Sequence, residues 1–186
     1  MNINKVVRLF MIVSVLFIQI VFLAAIAKNN YETNNFTAIL SIFFVTLIIL
    51  FGYKYLDLHH QEYTYEKFSV AIWVPIGAII CHVLFLYTDF GSVLSAGIVG
   101  TLASFLPYLN RKSSYLQKLP SAIYCGVFVG MSSTEITPSL GFVISAGVLA
   151  GIFLLLSKNL FVGVGGKLGT MAFLGVFIVY LFSYFS

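Results

Sequence analysis

Charge is the scarcest property of this sequence. Only 9% of its 186 residues are Asp, Glu, Lys or Arg, while 60% are hydrophobic and mean hydropathy is +1.03. A soluble domain carries about 25% charged residues. So little polar surface excludes a compact body in water and makes lipid the solvent for most of the chain. Cysteine is nearly as scarce. Cys81 and Cys125 each sit in an apolar run, with no CxxC or Cys/His ligand spacing nearby. Both read as small packing residues, and no metal or other cofactor is assigned. Catalytic groupings are missing too: there is no HExxH, no Ser/His/Asp arrangement and no intramembrane pair of aspartates, so no enzyme activity is expected. The net charge of +4 forms no dense stripe, which excludes nucleic acid as a partner.

Long hydrophobic runs fill the space these absences leave. About 20 apolar residues cross a bilayer as a helix, and that window predicts an all-α, polytopic membrane bundle with spans near 7–27, 36–56, 69–88, 91–107, 120–133, 138–157 and 160–184. The first run, Leu9 to Ala27, ends in Ala25-Ile26-Ala27, a pattern like a signal-peptidase site. It is longer than a typical h-region of about 7–15 residues, so an uncleaved helix is the preferred reading. With seven spans and the N-terminus in the cytoplasm, Lys5, Arg8, Lys54, Lys67, Arg111, Lys112, Lys118 and Lys158 all fall inside, and Lys28 falls outside. This is the positive-inside pattern. It places the C-terminus outside and predicts a multi-pass protein of a cell membrane, a bacterial inner membrane by the economy of its short loops.

The two parts of the chain differ in texture. Helices 1–3, over 7–88, are bulky, and the region 91–184 is glycine-rich. Gly91, Val93, Ser95, Ala96 and Gly97 align with Gly141, Val143, Ser145, Ala146 and Gly147, which predicts a parallel hairpin repeat of 91–133 on 141–175, a transporter design. Chance similarity among small residues is the alternative. Four small-xxx-small pairs, Ala96/Gly100, Gly126/Gly130, Gly147/Gly151 and Gly165/Gly169, allow close backbone approach. They predict a tight four-helix unit with helices 1–3 around it or at a subunit interface, and a homo-oligomer.

Candidate sites follow from polar residues in apolar surroundings. Lys167 lies in a glycine-broken stretch with Gly165 and Gly166, where freed amides and a cation suit an anion or polar solute. Simple snorkelling of Lys167 to the interface is the bland alternative. The 120–133 span is short and leads into Ser132, Ser133, Thr134 and Glu135, so a re-entrant half helix would carry these inward; an ordinary external loop is the alternative. His82 lies mid-span, a relay candidate or a hydrogen-bonded packing residue. Asp57, His59, His60 and Glu62 offer ligand types without defined spacing. The resulting expectation is a small transporter or channel for a polar solute or ion. The alternative is a membrane partner protein without transport, such as a toxin-immunity protein or a subunit of a defence or assembly complex.

Overall fold

The computed structural model describes residues 3–55, 65–157 and 166–185, and among these every regular element is an α-helix. In chain order they are α1 (Ile3–Glu32), α2 (Phe36–Tyr55), α3 (Phe68–Ala71), α4 (Trp73–Tyr87), α5 (Gly91–Ser104), α6 (Leu106–Leu109), α7 (Ser114–Gly130), α8 (Leu140–Leu156) and α9 (Lys167–Phe185). The chain divides into two compact units, Met1–Tyr63 and Thr64–Ser186. Among the described residues, four helical stretches are long and apolar enough to cross a membrane: Leu9–Glu32, Phe68–Tyr87, Gly91–Leu109 and Lys167–Tyr184. Phe36–Gly52 and Leu140–Leu156 are shorter apolar helices. The chain is thus an all-helical protein compatible with a membrane location.

The first unit is a helical hairpin. α1 runs unbroken through Ala25–Ala27 to Glu32. Asn34 then takes a left-handed φ of 56°, a conformation Asn adopts more readily than most residues. Asn35 starts α2 by accepting a hydrogen bond from the Ala38 amide at 3.2 Å.

The second unit is built around α4. Gly126 and Gly130 of α7 lie directly against the Val74 and Ala78 carbonyls of α4, so close that any Cβ there would overlap backbone. Along α4 these contacts advance in the same direction as along α7, so the two helices are parallel. Across α4, Gly147 of α8 faces Pro75, with a Cβ falling 2.9 Å from its Cα, and Gly151 faces the Ala71 carbonyl. That order makes α8 antiparallel to α4. Pro75 has no amide to give the Ala71 carbonyl, and it is this freed carbonyl that Gly151 approaches. Gly175 of α9 presses on the Ala146 carbonyl of α8 in the same way. Cys81, Val99, Ala103, Leu119, Ile123 and Val127 fill the space between α4, α5 and α7.

Several expectations change. The segment 69–88 does not stand apart with the bulky N-terminal helices, because its small residues make it the element on which α7 and α8 close. Gly126, Gly130, Gly147 and Gly151 each lie within close reach of α3 or α4. Gly100 packs on the Tyr124 ring, whereas a Cβ on Gly169 would meet nothing within 4 Å. Ala96 is half-buried, and Gly165 lies outside the described residues.

Three of the five aligned identities of the expected repeat differ in environment. Val93 is 73% exposed and Val143 0%; Ser95 is buried whereas Ser145 is exposed; Gly97 is open whereas Gly147 is packed. At these three positions identical residues face different surroundings, whereas Gly91 and Gly141 are both exposed.

Two helix starts also move. Pro120 lies inside α7, which begins at Ser114 with the Ser113 hydroxyl accepting from the Leu116 amide. At 17 residues α7 is about 25 Å long. α9 begins at Lys167 itself, after Gly166 turns the chain with a φ of +83°. Gly166 therefore precedes α9, whereas Gly169 lies within it, and Gly165 is outside the described residues.

Candidate functional site

Within the second unit the helix directions gather charge at one end. Glu66, Lys67, Arg111, Lys112, Lys118 and Lys167 lie at the start of α3, around the start of α7 and at the start of α9; Asp89 and Glu135 lie at the opposite end. Glu66 organises the basic end. Its backbone amide donates to the Leu155 carbonyl near the end of α8 at 3.0 Å. Its Oε1 accepts from Lys118 Nζ at 3.2 Å and from the Lys67 amide at 3.1 Å. The same carboxylate attracts the Lys167 ammonium electrostatically. Lys167 Nζ donates to the carbonyl of Ser157, the buried residue that ends α8. A cation there complements the negative end of the α8 dipole. One acid and two bases thereby join the starts of α3, α7 and α9 to the end of α8.

A second network lies beside it. Trp73 Nε1 donates to the Tyr115 hydroxyl at 2.8 Å, and that hydroxyl donates to the Ser69 carbonyl at 3.2 Å. This fixes α7 to α3 and α4 where an indole suits the membrane interface. Trp73→Phe removes the link and is expected to lower stability by about 1 kcal/mol, the net worth of one hydrogen bond. Thermal unfolding in detergent measures it, and an unchanged midpoint would show that the bond contributes nothing.

The residues nominated from sequence are not brought together. Lys167 and Gly166 are at the basic end. Ser132, Ser133 and Glu135 are at the far end, beyond the length of α7. There Thr137 is buried and its hydroxyl donates to the Ser133 carbonyl at 2.9 Å, while Ser139 caps α8 by accepting from the Phe142 amide at 3.2 Å. The segment is a capped connector with Ser133 and Glu135 exposed. His82 is buried between the ends, with Nδ1 3.3 Å from the Gly130 carbonyl. It therefore links α4 to α7. Asp57, His59, His60 and Glu62 lie outside the described residues. Two apolar grooves flank α4, one against α5 and one against α8, and none of the nominated polar residues lines either.

No known family, curated protein or solved structure matches this chain. The geometry is therefore the whole basis for a functional reading. Sequence reasoning missed Glu66 and counted Lys118 only as a topological charge. The available signal was an acid in a basic segment directly before an apolar run.

Proposed function

We propose that this chain is a multi-pass membrane protein that acts through partner binding in the bilayer, its second unit serving as a close-packed body and not as a solute path. The observation that carries this reading is the direct seating of Gly126, Gly130, Gly147 and Gly151 on α4. Backbone contacts of this kind leave little room for a solute between helices. In addition, Lys167, Lys118 and His82 are each engaged by groups of the protein itself. In this reading all seven spans cross, α7 and α8 included, with the basic end of the second unit in the cytoplasm, the N-terminus inside and the C-terminus outside.

Orientation is checked by single cysteines in a background without Cys81 and Cys125. A cysteine at Ser133 is expected to react with an impermeant maleimide in intact cells, and one at Ser113 only after lysis. The reverse pattern would sink the orientation.

Transport of a small polar solute or ion is the second reading, favoured by the half-buried Glu66–Lys118 pair with Lys167 beside it. Aqueous labelling separates the two. Met171 and Leu174 of α9 are 0% and 1% exposed, and cysteines there are expected to stay shielded. Rapid labelling at both would mean a water-filled path along α9 and would replace the partner reading with transport.

A further inference from the structure

The groove between α4 and α5 is walled by apolar side chains, Trp73 and Ile80 on α4, Val99, Leu102 and Leu106 on α5 and α6, and Ile123 of α7 at its floor. Its volume is about 230 Å³. From Trp73 to Ile80 it runs inward for about 10 Å along the helix axis. An unfilled groove forfeits dispersion contacts along its walls, and in a bilayer acyl chains are the material at hand. The mouth of the groove decides which lipid fits. Trp73 sits there, held by Tyr115, and Leu106 leads within six residues to Arg111 and Lys112, both exposed. The Arg111 guanidinium lies 5.2 Å over the ring of Tyr108. The Lys112 amide is fixed by the Asn110 side chain at 3.1 Å. Among the described residues neither base is paired with a carboxylate, since Glu66 serves Lys118.

We propose that the α4–α5 groove seats an acyl chain of an anionic phospholipid whose phosphate is held by Arg111 and Lys112. Charge complementarity at headgroup depth favours this occupant over a second apolar helix, which would leave both bases without counter-charge. The proposal needs only that the bundle sits in a bilayer, and it stands whether the protein binds partners or transports.

Native mass spectrometry of the full-length protein tests it, with phosphatidylglycerol and phosphatidylcholine of equal chain length as the two probes. Retention of phosphatidylglycerol over phosphatidylcholine is expected. The double variant Arg111→Gln/Lys112→Gln should weaken phosphatidylglycerol retention about 25-fold, about fivefold per base near a membrane surface. Leu102→Trp and, from the opposite wall, Ile80→Trp should fill the groove and weaken retention of both lipids. These side chains are 66% and 50% exposed, so folding is expected to be unchanged by circular dichroism. Equal retention of the two lipids, retention of neither, or no response to the basic pair or to both tryptophans overturns the proposal. A dimer that the tryptophans convert to monomer would instead assign the groove to a second copy, and overturns it as well.

Discussion

Gly126→Ala is expected to destabilise the second unit by about 3 kcal/mol or more, the upper end of the overpacking range, and Gly126→Leu to leave little folded protein. The added Cβ would lie on the Val74 carbonyl and beside the Ala78 amide, both backbone atoms that cannot rotate away. Relief requires α4 and α7 to separate, which also removes the Gly130 contact one turn further on and the hydrogen bond between His82 and the Gly130 carbonyl. Gly97→Ala is the internal control. Its Cβ would meet nothing within 4 Å, so the change relieves glycine's helix penalty, a gain of about 1 kcal/mol. Unfolding in mixed micelles should therefore shift in opposite directions for the two alanines. Because α4 moves once for both sites, Gly126→Ala/Gly130→Ala should be less destabilised than the two single changes predict when added. Equal behaviour of Gly126→Ala and Gly97→Ala would refute the packing scheme and remove the main support for the partner reading.

Some of this organisation was legible in the sequence and some was not, for physical reasons that differ by residue. Small residues four apart must share a helix face, so Gly126/Gly130 and Gly147/Gly151 announced close packing without naming the helix they approach. Their target, α4 with the short α3 before it, carries Ala71, Val74 and Ala78 between large side chains, and its hydropathy resembles that of any other span. Gly77 and Gly175 do the same work singly, against the Ile123 and Ala146 carbonyls, and a lone glycine has no spacing to betray it. Pro120 misled because proline is common at a helix start; here Ser113 supplies the cap seven residues earlier, and the polar turn through Gln117 and Lys118 resembled a loop. Sequence identity likewise says nothing of which face is buried, so Ser95 and Ser145 differ in burial although they are aligned. The surroundings of Lys167 depend on the end of α8, ten residues upstream, and on Glu66, which no local pattern connects to it.

Glu66→Gln therefore tests the part of the site that only the fold reveals. The substitution keeps the shape and hydrogen-bonding capacity of the side chain and removes its charge from between Lys118 and Lys167. Removing one partner of a fully buried ion pair destabilises by about 3–5 kcal/mol, while an exposed pair contributes at most about 1 kcal/mol. Glu66 is 14% exposed and Lys118 35%, so the pair lies between those limits and a loss of about 2 kcal/mol is expected. A double-mutant cycle with Lys118→Met separates the ion pair from general damage, because once Glu66→Gln is in place Lys118→Met no longer removes an attraction. A coupling energy of at least about 1 kcal/mol is expected from such a contact. The same cycle with Lys167→Met should give a smaller coupling, since Lys167 keeps the Ser157 carbonyl as its hydrogen-bond partner whatever stands at position 66. If Glu66→Gln unfolds at the wild-type midpoint and both couplings vanish, the charged end is a solvated surface. Its asymmetry then serves only to orient the chain. If the couplings appear in the expected order, Glu66 is the residue that fastens α3, α7 and α9 to the end of α8, and the cap at the basic end is as much a part of the packed body as the glycines beneath it.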